Sequence, residues 1–95
     1  MSNIQRPFAF ASITVFPLGN VLVEYSNKMA ELSCRIKAEI EEGSEAYVVE
    51  LATNEVRMMF HWERDVDRYQ VFTEELGHIS NYVPTFHSMI SGGVQ

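Results

Sequence analysis

The residues best suited to chemistry lie in the middle of the chain. His61, Glu63, Asp65 and Asp67 share one parity, so on a straight strand an imidazole and three carboxylates would line one face, a donor set that suits a divalent metal. The Asp65-Val66-Asp67 segment reads as a turn, which breaks that line and leaves a solvated row ending in a polar hairpin tip. Glu75-Leu76-Gly77-His78 has the E-x-x-H spacing that sets a carboxylate and an imidazole on one helix face, as in di-iron bundles. Such bundles need a second copy of the motif, and the chain has one. Near a helix start Glu75 would serve the dipole instead, with His78 at the surface. Cys34 is the single cysteine. With His61, His78 or His87 it would make a thiolate–imidazole pair, the basis of a thiol enzyme. On a helix it falls about 100° from the apolar stripe, beside Arg35 and Lys37, as a half-buried thiol. There is no G-x-S-x-G elbow, phosphate loop or dinucleotide fingerprint. These residues argue for a non-enzymatic protein with no cofactor and no metal. The rival is a small metal- or thiol-dependent enzyme using His61, His78 or Cys34.

The same stretch reads more naturally as a contact surface. Glu55, Arg57, Met59, His61 and Glu63 alternate with Val56, Met58, Phe60 and Trp62, which is the period of a strand with one apolar face and one polar face. Arg68 and Gln70 follow across the expected hairpin, with Tyr69 and Val71 inward. An RNA platform would display stacking rings between basic flanks, and this row has neither, so direct nucleic-acid binding is not expected. Val48, Met59 and Phe72 among Arg57, His61, Glu63 and Arg68 have the apolar-centre, polar-rim composition of a protein contact. The expected contact residues are Glu50, Glu55, Arg57, Met59, His61, Glu63, Asp65 and Asp67.

The elements that must position them can be read from periodicity and turn chemistry. Phe8–Phe16 and Val21–Tyr25 are rich in β-branched and aromatic residues and form a hairpin. In the intervening Phe16-Pro17-Leu18-Gly19-Asn20, Pro17 suits a type I turn and Gly19 the left-handed position of a bulge. Lys28–Glu42 reads as a helix, capped by Ser26 or Asn27 and stopped at Gly43. Its apolar stripe is Met29, Leu32, Ile36 and Ile40, with Glu31–Arg35, Arg35–Glu39 and Lys37–Glu41 as i,i+4 pairs outside. Tyr47, Val49 and Leu51 face one way and Val48, Glu50 and Ala52 the other. With a turn at Thr53-Asn54, this strand, the next and a third at Arg68–Thr73 make an antiparallel meander with one solvated face. Leu76, Ile79, Val83, Phe86 and Ile90 keep a helical period, capped by Thr73 and either kinked at Pro84 or split there into two short helices. Ser91–Gln95 is a frayed tail. The expected class is α+β in one domain, an antiparallel sheet of about five strands, order β-β-α-β-β-β-α, with two helices packed on one face.

Charge bounds the function further. In 95 residues, 13 acidic and 7 basic groups leave −6, and one cysteine rules out an internal disulfide. Residues 1–40 are nearly balanced, residues 41–75 carry ten acidic against three basic groups, and residues 76–95 carry none. The apolar stretch at Phe8–Val23 is broken by Ser12, Thr14, Pro17, Gly19 and Asn20 and is shorter than the ~20 residues of a membrane helix. No membrane partner is expected, and a cytoplasmic location with a reduced thiol is. In size and charge alone the chain is similar to the small acidic proteins with which phages inhibit host nucleic-acid machinery, anti-CRISPR proteins among them. That resemblance implies an inhibitor or regulator that occupies a basic, nucleic-acid-binding type of surface on a partner protein. A structural homo-oligomer is the remaining reading, because the nearly uncharged C-terminal segment with Tyr82, Phe86, Met89 and Ile90 suits a core or a homodimer interface.

Overall fold

Antiparallel pairing organises nearly everything in the computed structural model, which describes residues 8–63 and 68–86. Five strands, β1 (Phe10–Val15), β2 (Val21–Ser26), β3 (Glu45–Glu50), β4 (Glu55–Glu63) and β5 (Arg68–Phe72), form one sheet in the order β2-β1-β3-β4-β5. All four neighbouring pairs are antiparallel. The β3-β4-β5 meander is therefore as expected, and the N-terminal hairpin joins it through β1. The hairpin turn follows its sequence: Gly19 N–H donates to Phe16 O at 2.8 Å, Phe16 N–H donates to Asn20 O at 2.9 Å, and Gly19 sits at φ +97°. The Asp65–Asp67 turn and residues 87–95 lie outside the described residues.

The helix α1 spans Met29–Glu39, shorter at its C-terminal end than the periodicity suggests. Ile40 is already extended, and Gly43, at φ +86°, turns the chain into β3. Leu32 and Ile36 are buried and Met29 and Ile40 half-buried, all in one cluster with Ala46, Val48 and Phe60. Across β1 and β3 the small side chains of Ser12, Thr14 and Ala46 are buried on this face, leaving room for the branched residues of the helix to sit close to the sheet.

The opposite sheet face is covered as well, which corrects the expectation of two helices on one side and a solvated face on the other. Ala11, Ile13, Tyr47, Val49, Leu51 and Val56 form a second core with Ile79, Val83 and Phe86 of the C-terminal segment. The expected second helix from Thr73 is absent over the described residues, where the regular element is a 3-10 turn at Ile79–Asn81. Glu75 at φ +56° and Gly77 at φ +83° take left-handed conformations that no helix continues through. The backbone instead pairs with the β3–β4 turn: Val56 N–H donates to Gly77 O at 2.8 Å, and Ile79 N–H to Asn54 O at 2.9 Å. Leu76, Ile79, Val83 and Phe86 reach the core without a continuous helix, so their apolar spacing marks which residues turn inward and does not name the element that carries them.

A bulge explains a further correction. Val48 pairs with Met58 and Val49 with Val56, leaving Arg57 as the extra residue. Parity changes there, so Val56 joins the C-terminal core while Met58 and Phe60 face α1. Val48 likewise lies under α1, on the other face from Met59, and does not share a surface with it. On β5 Tyr69 packs against Phe60, whereas Val71 remains 40% exposed.

Phe60→Ala should destabilise the protein by about 3–5 kcal/mol, because a fully buried ring leaves a cavity. Leu18→Ser, at a tip position 96% exposed, should change stability by less than about 0.5 kcal/mol. Urea unfolding followed by circular dichroism measures both.

Candidate functional site

The described members of the expected contact set are spread along β4, whose nine residues span about 27 Å, with Glu50, Glu55 and Arg57 at one end, Glu63 at the other and Met59 and His61 between. At the bulged end Arg57 donates through Nε to Glu50 Oε1 at 2.9 Å and lies 3.7 Å from Glu55. The Glu50 hydrogen bond and its charge hold the guanidinium above its ordinary range. These carboxylates are thus partly neutralised by a neighbour, which lowers their value as a contact for an outside cation. Glu63 ends the strand on the far side, opposite Arg68, while Asp65 and Asp67 lie outside the described residues.

Between these ends His61 and Met59 occupy the face shared with the C-terminal segment. Cross-strand register sets Glu45, His61 and Gln70 in one row and Tyr47, Met59 and Phe72 in the next. His61 Nδ1 lies 3.1 Å from Glu45 Oε2, and the Tyr47 hydroxyl donates to Glu45 Oε1 at 2.7 Å. Tyr47 is buried, its ring tilted against Tyr82 at 5.3 Å, and the Tyr82 hydroxyl donates to Leu76 O at 2.6 Å. Burial above all, then the bond to the Glu45 carboxylate, pushes Tyr47 well above the ordinary phenol range. It therefore remains a neutral donor that fixes Glu45, which in turn orients the His61 ring. The polar row and the apolar row lie side by side around Met59 and His61, with Phe72 39% exposed. Glu45 and Tyr47 are members that sequence reasoning does not single out. Their alternation is visible in the chain, but the register that lays Glu45 beside His61 is not.

The alternative chemistries meet a different geometry. Cys34 is exposed on α1 rather than half-buried, and α1 covers the sheet face opposite His61, so the two are not brought together. His78 begins the 3-10 turn, its Nδ1 accepting from Ser80 N–H at 3.1 Å and lying 2.8 Å from Ser80 Oγ. Glu75 is exposed in a left-handed conformation, so the E-x-x-H spacing does not lie on a helix. Among the described residues no group of three or more His, Cys, Asp or Glu side chains could hold a metal ion. Nor, among them, is any helix long and apolar enough to cross a membrane.

A second polar group sits where α1 begins. Lys28 occupies the N-cap position without a side-chain cap; Ser26 Oγ accepts from Lys28 N–H at 3.1 Å and donates to Glu31 Oε1 at 2.6 Å. Asn27 Oδ1 instead accepts from Ala9 N–H at 2.9 Å, tying the helix start to the chain ahead of β1. Arg35 bridges Glu31 at 3.2 Å and Tyr25 O at 3.4 Å, which covers a carbonyl on the open edge of β2. The Ser26 hydroxyl first, then Arg35 and Lys28, lower the Glu31 pKa from its ordinary 4.5.

No family model matches the chain, and no curated protein or solved structure matches it either. Its own surfaces are what point to a function.

Because Glu31 has a depressed pKa in the folded state, its contribution is present above pH 4.5 and is lost as pH falls through the lower folded value. Glu31→Gln should accordingly unfold at lower urea than the wild type at neutral pH, with the gap closing in acid. Urea midpoints measured across the acid range test this.

Proposed function

We propose that the protein is a non-enzymatic binding module that occupies a basic surface of a partner protein, as an inhibitor or regulator of that partner. The observation that carries this reading is where the negative groups gather. Glu41 and Glu42 are exposed in the α1–β3 connection, and Glu45 is half exposed at the start of β3. Trp62 N–H donates to Ser44 O at 3.4 Å, which draws the end of β4, with Glu63, up against that connection. The C-terminal end of α1, negative by its dipole, terminates on the same side. Segments about twenty residues apart in the chain, both rich in acidic residues, are thereby brought to one end of the sheet.

The mechanism is competition. Carboxylates pair with the arginines or lysines that would otherwise hold phosphates, through charge-assisted hydrogen bonds. Met59 and His61, with Phe72 beside them, supply the apolar centre that such a contact needs. In this reading Glu41 and Glu63, with Asp65 and Asp67, contribute most, and Glu45, already held by Tyr47 and His61, contributes less. Glu50 and Glu55, already engaged by Arg57, contribute less.

Tagged protein should capture a partner from extracts of its native cell in a salt-sensitive manner, with release by about 0.5 M salt. The combined reversal E41K/E63K/D65K/D67K should reduce that capture at least about tenfold, and E50K/E55K should reduce it far less. Undiminished capture by the first variant would eliminate the acidic-surface mechanism.

A further inference from the structure

At the other end of α1 from the acidic end, the start of the helix and the last residues of β2 border an open cleft of about 400 Å³. Its walls combine aromatic rings with charged side chains. Phe8 and Tyr25 stack at 5.9 Å with planes 25° apart, and Phe8 is still 40% exposed. Against this aromatic wall stand Lys28, Glu31 and Arg35. On a chain of net charge −6, two cations and one carboxylate leave this cleft one positive charge in excess.

The partners of each group are accounted for. Glu31 is taken by Ser26 Oγ and by Arg35. Arg35 spends one N–H on Glu31 and one on Tyr25 O, which leaves three of the five donors of a guanidinium uncommitted. Among the described residues the Lys28 ammonium enters none of the close ion pairs and acts on Glu31 only through its charge. The helix backbone is not the source of the site, because the Lys28 N–H is already bound by Ser26 Oγ. Side chains supply the recognition.

These features select a ligand by size, shape and charge. The volume is near the lower end of small-molecule pockets, roughly 300–1,000 Å³, and admits one ring with a short tail. A flat ring finds stacking partners in Phe8 and Tyr25. A single negative charge matches the single excess positive charge, whereas a phosphate dianion would need a further cation. We propose that this cleft binds an aromatic monocarboxylate, its ring against Phe8 and Tyr25 and its carboxylate on Lys28 and the outward N–H groups of Arg35. The same chemistry is offered by a free aromatic acid and by the C-terminal aromatic residue of a peptide. The site is separate from the acidic end and stands whether or not the acidic surface binds a partner.

Nuclear magnetic resonance titration of the isotope-labelled full chain tests this with two probes, 4-hydroxybenzoate and N-acetylphenylalanine, the latter standing for a peptide end. Saturable shifts centred on the amides of Phe8, Tyr25, Asn27 and Arg35 are expected, with dissociation constants in the range of about 0.1–5 mM. Lys28→Gln and Phe8→Ala, both at exposed positions whose spectra report folding directly, should each weaken binding at least about fivefold. Acetate, which lacks the ring, and benzamide, which lacks the charge, should bind at least about tenfold more weakly. Tighter binding of N-acetylphenylalanine assigns the site to a chain end, and tighter binding of 4-hydroxybenzoate to a free acid. Absence of saturable shifts with both probes, equal binding of acetate or benzamide, or unchanged affinity in either variant overturns the proposal.

Discussion

The pairing of β1 with β3 is the interaction on which the rest of the structure depends. It joins a local hairpin to a meander across the whole of α1, and it places β1 and β3 where both of their faces can be buried. Ala11 and Ile13 then look toward the C-terminal segment, and Ser12 and Thr14 toward α1. Without that pairing each piece would offer one apolar face and little to cover it. With it, a chain of 95 residues carries two separate clusters divided by a sheet, and the hydrophobic gain is spread over three layers.

The sandwich also determines what is left for function. Among the described residues, the C-terminal segment covers only part of its sheet face, and the rows through Glu45, His61 and Gln70 and through Met59 and Phe72 stay partly open. Tyr47 lies at the boundary, buried enough to remain a phenol and close enough to the surface to hold Glu45. The polar chain from Tyr47 to His61 is consequently ordered from beneath. Its outer members are half exposed, so their attraction is screened by water and contributes about 1 kcal/mol or less to stability. Such a pair shapes a surface more than it stabilises a fold.

Charge is distributed by the same geometry. One end of the sheet carries the carboxylates of the α1–β3 connection, while the start of α1 carries Lys28 and Arg35 beside an aromatic wall. The bulge at Arg57 adds a third element, since the extra residue lies at the strand end where its guanidinium meets Glu50 and Glu55. A net charge of −6 therefore resolves into an acidic end, a compensated corner and a small cationic cleft.

Local rules account for much of this architecture. The hairpin turn at Pro17–Gly19, the α1 stripe of Leu32 and Ile36, the meander and the α+β class are legible in the amino-acid sequence, because turn chemistry and side-chain period act between residues a few positions apart. The inward spacing of Leu76, Ile79, Val83 and Phe86 is legible too, since burial selects apolar residues whatever element carries them. Relations between distant segments were decided only by the tertiary structure. The register of β3 on β4 puts Glu45 beside His61, the bulge at Arg57 exchanges the faces of Val56 and Met58, and the pairing of Gly77 and Ile79 with the β3–β4 turn replaces a helix by an extended segment. Each depends on backbone hydrogen bonds to a partner far along the chain. A periodic pattern names the face a residue prefers, and only the partner strand decides what that face meets.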